Sequence, residues 1–222
     1  MKTKNLQPDQ KIFFLGLNKN GTTTFYRFFQ KNGYLCEDSA KWWCYHTKEE
    51  FRDREVFTDG YEKKFRNLTP PRFDCWPNIK FLNETFPNSY YILQTRPMKD
   101  WLLSRQLKYA KRFDIEGERS WIPNEEGTLE KIHEDYVLRL YWHQKIKWHM
   151  NHLLKNTSNN FMILDISIDN SKIVEKLEGF LNVEFTDKLL VEQNKTTWFE
   201  PQHTKWFEDL VIRYLEQRKY EI

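Results

Sequence analysis

The residues with the most chemical content stand together near the start of the chain, in Gly16-Leu17-Asn18-Lys19-Asn20-Gly21-Thr22-Thr23-Thr24. Two glycines bracket a lysine, and three consecutive hydroxyl side chains follow. A turn of this composition presents several backbone N–H groups to one point, and a helix opening at Thr22 adds its N-terminus to them. Both features favour a bound phosphate or sulfate. Lys19 supplies positive charge. Asn20 and Gly21 supply main-chain amides, and Thr22, Thr23 and Thr24 add hydroxyls for the oxygens of the anion.

The place of the lysine separates two chemistries. A nucleotide kinase or NTPase loop reads G-x-x-x-x-G-K-[ST], with the lysine after the second glycine. Here Thr22 occupies that place, and Lys19 lies inside the loop. An enzyme of that kind also needs an aspartate for Mg²⁺ at the end of an apolar strand, and Phe161 to Asp165 is the segment that offers one.

A second group follows in Arg96-Pro97-Met98-Lys99-Asp100-Trp101-Leu102-Leu103-Ser104. An arginine can grip a phosphate with a forked, charge-assisted contact. Ser104 falls about two helical turns further on, on the side of the helix where it starts.

The elements that must position these groups are legible from hydrophobic pattern. Lys11 to Gly16 reads as a buried strand, and Thr22 to Gln30 as a helix with Phe25, Phe28 and Phe29 at helical spacing, ended by Gly33. Glu55 to Thr58 reads as a weaker strand. Ile79 to Phe86 reads as a short helix closed by Pro87, and Ser89 to Thr95 as a strong strand. Pro97 sits where a helix can open, because its missing N–H is no loss there. Gly117 to Gly127 is polar and turn-rich and reads as a surface loop. Leu129, Ile132, Tyr136, Val137, Leu140, Tyr141, Trp148 and Leu153 then mark a long amphipathic helix ending before Asn156. Phe161 to Asp165 reads as a strand, and two helices follow, around Ile173–Leu181 and Trp206–Leu215. Strands alternating with helices imply an α/β three-layer sandwich, with a central, mainly parallel sheet flanked by helices.

With these segments in place, the chain resembles the sulfotransferases that use 3′-phosphoadenosine 5′-phosphosulfate. Their 5′-phosphosulfate loop is close to P-K-x-G-T-T, matched here by Asn18-Lys19-Asn20-Gly21-Thr22-Thr23 with Asn18 in the proline place. Their 3′-phosphate is held by an arginine after a strand and a serine eight residues on, which Arg96 and Ser104 match. Phe57-Thr58-Asp59-Gly60, Phe86-Pro87-Asn88-Ser89 and the Tyr91–Arg96 strand are similar to one branch of the family. So are Tyr141, His143 and Trp148, Ile163-Leu164-Asp165, and Leu177 to Leu181. Gln193-Asn194-Lys195-Thr196 falls where that branch carries an N-K segment near the nucleotide, so Asn194 and Lys195 join the expected binding set.

The resemblance implies a P-loop NTPase-like sulfotransferase fold, a donor that leaves as adenosine 3′,5′-bisphosphate, and an acceptor hydroxyl or amine. Lys19 would stabilise the bridging oxygen as it gains negative charge. An acceptor hydroxyl benefits from a general base. Asp59 is the first candidate, because it ends a strand and strand C-termini face the ligand crevice in open parallel sheets. His46, in Trp42-Trp43-Cys44-Tyr45-His46, is the second, and its tryptophans either line an acceptor pocket or belong to the core. Side chains supply the cations, so no metal is expected. His143, His149 and His152 stand six and three residues apart, which is not the i,i+4 pairing of a helical metal site. The other readings are a P-loop kinase or other nucleotide-binding protein, and a non-catalytic binding protein that retains the fold.

The chain has 222 residues, with 17% aromatic and 30% charged residues, which excludes a disordered tail and fits one domain over 1–222 with residues 1–10 as a flexible tail. Lys+Arg 35 against Asp+Glu 32 gives a net charge of +3, too mild to call for nucleic acid or a membrane surface. No apolar run reaches the ~18 residues of a membrane span, and residues 1–11 show no signal-peptide core. The odd number of cysteines (Cys36, Cys44 and Cys75) fits free thiols in a reducing cytoplasm. Neither the acceptor nor the oligomeric state is written in these motifs.

Overall fold

The computed structural model describes residues 6–7, 9–38, 42, 45–58, 78–115, 124–153, 160–190 and 201–219. Asp59, Asn194 and Lys195 lie outside the described residues, as do Trp43, Cys44, Cys75 and most of the expected 117–127 loop. The chain packs as two compact units. One comprises Met1–Thr95 with Gln144–Gln193, and the other Arg96–His143 with Asn194–Ile222.

The first unit is built on five parallel strands, β1 (Ile12–Phe14), β2 (Cys36–Asp38), β3 (Val56–Thr58), β4 (Tyr90–Thr95) and β5 (Phe161–Asp165), in the order β2-β3-β1-β4-β5. The α/β class expected from alternation is therefore present, with every strand pair parallel. β1 lies at the centre, and Ile12, Phe13 and Phe14 are all fully buried. Side chains alternate along a strand, so β1 feeds both faces of the sheet. Ile12 and Phe14 join the core formed with helix α1 (Thr22–Lys31) and helix α5 (Asn170–Leu181), through Phe25, Phe28, Phe29, Ile173, Val174 and Leu177. Phe13 points the other way. It stacks on Phe57 (5.2 Å) and Tyr91 (5.5 Å) and meets Trp42, Phe51 and Phe86, the last just beyond helix α2 (Ile79–Thr85). These two packed faces make the three layers.

Trp42 therefore belongs to the core. Its indole N–H donates to the Thr58 carbonyl (3.1 Å), and the ring is almost fully buried. A lining role in an acceptor pocket does not apply to it.

One strand has no counterpart in the hydrophobic pattern. β2 is only Cys36-Glu37-Asp38, half-buried, at the sheet edge. An edge strand of three residues carries no apolar run to betray it, and pairing with β3 alone defines it. The strong strand at Tyr90–Thr95, by contrast, is buried on both faces and opens with the apolar run Tyr90–Leu93.

The second unit contains helix α3 (Met98–Ile115), the first part of helix α4 (Glu125–Leu153), and helix α6 (Pro201–Lys219). Helix α4 begins at Glu125, earlier than the expected end of the surface loop at Gly127. Asn124 explains this, because its side chain accepts the Gly127 N–H (2.8 Å) and its carbonyl accepts the Thr128 N–H (3.1 Å).

The buried stripe of α4 is also not the one expected from its apolar residues. Thr128, Ile132, Asp135, Arg139, Trp142, Ile146 and Met150 are buried, at spacings of three and four. Val137, Leu140, Tyr141 and Trp148 are exposed. Ile132 is common to the two stripes. Burial of Asp135 and Arg139 is offset by polar partners, which a count of apolar residues does not see. No helix among the described residues is long and apolar enough to cross a membrane.

Candidate functional site

In the first unit, the loop from Gly16 to Gly21 joins the central strand β1 to α1. The ladder continues one step past β1, with the Leu15 N–H donating to the Ile92 carbonyl (2.7 Å). The next amide, that of Gly16, donates to the side-chain Oε1 of Gln94 at 2.8 Å. A β-carbon at Gly16 would stand 2.5 Å from the Gln94 carbonyl oxygen, so only glycine allows the loop to pass this close to β4. Gln94 is fully buried and its Nε2 has no hydrogen-bond partner among the described residues. It was missed by motif reasoning, because a glutamine inside an apolar strand carries no motif of its own.

Two residues of the loop take the left-handed backbone conformation, Lys19 (φ 69°) and Gly21 (φ 75°). For glycine this is free of strain. For lysine it costs ~1–2 kcal/mol, a cost typical of backbone that a site requires. Between them Asn20 is fully buried (0% exposed), and neither Nδ2 nor Oδ1 of its carboxamide has a hydrogen-bond partner among the described residues. Gly21 precedes the first turn of α1, where the Phe25 N–H donates to the Gly21 carbonyl (3.0 Å). A β-carbon at Gly21 would press on Ile166 and Phe25. Lys19, Asn20, Gly21, Thr22, Thr23 and Thr24 are thus gathered at the C-terminal end of the central strand and the N-terminus of α1. No acidic side chain occupies the first turn of that helix. A glycine-lined turn, a helix N-terminus and an orphaned buried carboxamide fit an anion with several oxygens.

The sheet order adds a second positional fact. β1 and β4 are adjacent, and the connection after β1 runs toward β2 while the one after β4 runs toward β5. Ligands of open α/β sheets bind outside the strand C-termini at such a switch point.

Other expected residues fall elsewhere. His46 is exposed, and its backbone N–H donates to the Glu50 carboxylate (2.8 Å). That carboxylate also accepts the Thr47 N–H in a capping box at the 3-10 turn Lys48–Phe51. These bonds hold the Glu50 carboxyl below its ordinary range. Asp165 at the end of β5 accepts both the N–H (2.9 Å) and the hydroxyl (2.7 Å) of Ser167 on Oδ1. These bonds lower its pKa and engage Oδ1 in the local turn. A Mg²⁺-dependent enzyme would need that carboxylate for its metal.

Asp38, at the C-terminal end of β2, is a group that sequence reasoning did not find. Thr58, its partner across the strands, donates a hydroxyl to it at 3.0 Å. Burial pushes its pKa up, against the Thr58 bond, which lowers it.

In the second unit, Arg96 and Pro97 lead into α3, and Ser104 lies on α3 two turns beyond Pro97. The Pro97 carbonyl accepts the Trp101 N–H (3.1 Å), so Pro97 caps the helix from just outside it. Arg105, the neighbour of Ser104, is buried and ion-paired to Asp135 of α4 at 2.7 Å. Gln106 (3.3 Å) and the Tyr109 hydroxyl (3.3 Å) complete the shell of that carboxylate. The network fixes the helix segment from which Ser104 projects.

No protein-family model matches the chain, and no curated protein is significantly similar to it.

Proposed function

We propose that the protein is a sulfotransferase that takes the sulfuryl group of 3′-phosphoadenosine 5′-phosphosulfate and passes it to a hydroxyl or amine acceptor. The observation that carries the reading is the Gly16–Thr24 loop. It opens a helix at the end of the central strand, with Lys19 inside it in a strained conformation and a buried, unpartnered Asn20 beside it. A lysine at that place favours a phosphosulfate over a nucleoside triphosphate.

When bound, the donor supplies a sulfuryl group attached to a good leaving phosphate. In the transfer, the bond from sulfur to the 5′-phosphate oxygen breaks, a bond from sulfur to the acceptor atom forms, and the acceptor loses its proton. Lys19 stabilises the charge that gathers on the leaving oxygen. The amides of Asn20 and Gly21 and the hydroxyls of Thr22, Thr23 and Thr24 hold the 5′ end. Arg96 and Ser104 hold the 3′-phosphate, with Asn194 and Lys195 assisting. Asp59 is the first candidate to take the acceptor proton and His46 the second. Catalysis is then chiefly positioning and electrostatic stabilisation.

Calorimetric titration with adenosine 3′,5′-bisphosphate and, separately, with ATP and Mg²⁺ tests the reading. Tight binding of the bisphosphate and weak binding of ATP are expected, and the reverse order removes the proposal in favour of a P-loop kinase. A screen of acceptor classes with labelled donor, read by mass spectrometry, then tests transfer. Lys19→Ala should abolish most of it while nucleotide still binds.

A further inference from the structure

Resting on that functional reading, a residue of α4 acquires a role that no motif assigns. Arg139 is 4% exposed, in the middle of a helix whose buried stripe also carries Asp135. Its guanidinium donates to the backbone carbonyls of both Arg96 and Pro97, the latter at 3.3 Å. It lies over the Trp101 ring, 5.3 Å from the centroid, and Arg105 lies 5.4 Å from the same centroid. All of these groups belong to the second unit.

Two consequences follow from the chemistry. The fork of Arg139 holds the carbonyls of Arg96 and of Pro97 after it, so the backbone on the C-terminal side of the Arg96 Cα is fixed by a rigid partner. It also brings a second permanent cation near the first. Burial pushes the pKa of Arg139 down to about 10, and the like charge of Arg96 adds to the lowering, opposed in part by Asp100.

We propose that Arg139 is a positioning residue for Arg96, holding the backbone from which Arg96 reaches a phosphomonoester. The interaction runs through Arg96, so the effects of the two residues must be coupled.

The test measures the affinity of the full chain for adenosine 3′,5′-bisphosphate and for adenosine 5′-monophosphate, which lacks the 3′-phosphate, by calorimetry. Arg139→Met keeps an unbranched apolar stem against Trp101 and removes the charge and the fork. It should weaken the bisphosphate about tenfold, equivalent to about 1.4 kcal/mol, and leave the monophosphate nearly unchanged. In an Arg96→Ala background the same substitution should cost little more, because the residue it positions is gone. Arg139→Lys keeps the charge but not the fork, and should lose about threefold in the affinity ratio. This variant carries the test if the methionine variant does not fold. An unchanged ratio in either variant overturns the inference, as do losses that simply multiply with Arg96→Ala. A purely structural role would weaken both nucleotides equally, which also overturns it. Wild-type protein that binds the two nucleotides equally overturns the functional reading and this inference together, and that outcome is read before any variant is made.

Discussion

The side-chain Oε1 of Gln94, in β4, accepts the backbone N–H of Gly16, immediately after β1, at 2.8 Å. This bond replaces the next rung of the β1–β4 ladder with a side-chain rung and sets where the loop leaves the sheet. Gln94→Leu fills the same space and leaves the buried Gly16 N–H unsatisfied, at a cost of about 1–3 kcal/mol. Gly16→Ala drives a β-carbon into the Gln94 carbonyl oxygen, 2.5 Å away, and should cost at least as much. Denaturant unfolding measures both. Wild-type stability in both variants would remove Gln94 and Gly16 from the support of the loop.

Strain at Lys19 separates stability from function. With φ at 69°, glycine is the unstrained residue at this position. Lys19→Gly should be more stable than Lys19→Ala by about 1 kcal/mol, and both should lose transfer activity. Comparing the two variants cancels whatever the lysine side chain itself contributes. Equal melting temperatures would show that the backbone at position 19 relaxes.

Phe13 is the ring on which the second face of the sheet is assembled, in contact with Phe57, Tyr91, Trp42, Phe51 and Phe86. Phe13→Ala should cost about 3–5 kcal/mol, through lost transfer energy and the cavity left behind. That is a large part of the ~5–15 kcal/mol of a typical domain. Phe13→Leu should recover more than half of the loss. A thermal or denaturant melt reads both.

Asp38 makes stability depend on pH in an unusual direction. Its folded pKa is raised above the ordinary 3.8, mainly by burial. From that value upward to the folded pKa, the folded protein binds more protons than the unfolded chain, so stability falls as pH rises through the window. Asp38→Asn keeps an acceptor for the Thr58 hydroxyl and removes the titration. The stability difference between wild type and variant, followed from about pH 4 to 7, should move in favour of the variant as pH rises. A difference that does not change with pH would show that the carboxyl ionises freely in the fold.

The sequence by itself determined the α/β class and most of the elements, because the information is local. Ile12-Phe13-Phe14 and Tyr90–Leu93 are apolar on both faces, and Phe25, Phe28 and Phe29 repeat at helical spacing. Gly16, Lys19, Gly21 and the three threonines mark the candidate anion loop through residue type and spacing alone. Tertiary structure decided what depends on partners distant in the chain. The edge strand Cys36–Asp38 exists only because β3 pairs with it. Gln94 matters only because Gly16 passes over it, 78 residues away in the chain. On α4, the apolar residues Val137, Leu140, Tyr141 and Trp148 face outward, while Asp135 and Arg139 are buried, since their charges meet Arg105 and the carbonyls of Arg96 and Pro97. Hydrophobicity is a property of one residue and periodicity a property of one segment. Satisfaction of a buried charge is a property of a pair, and only the folded chain brings the pair together.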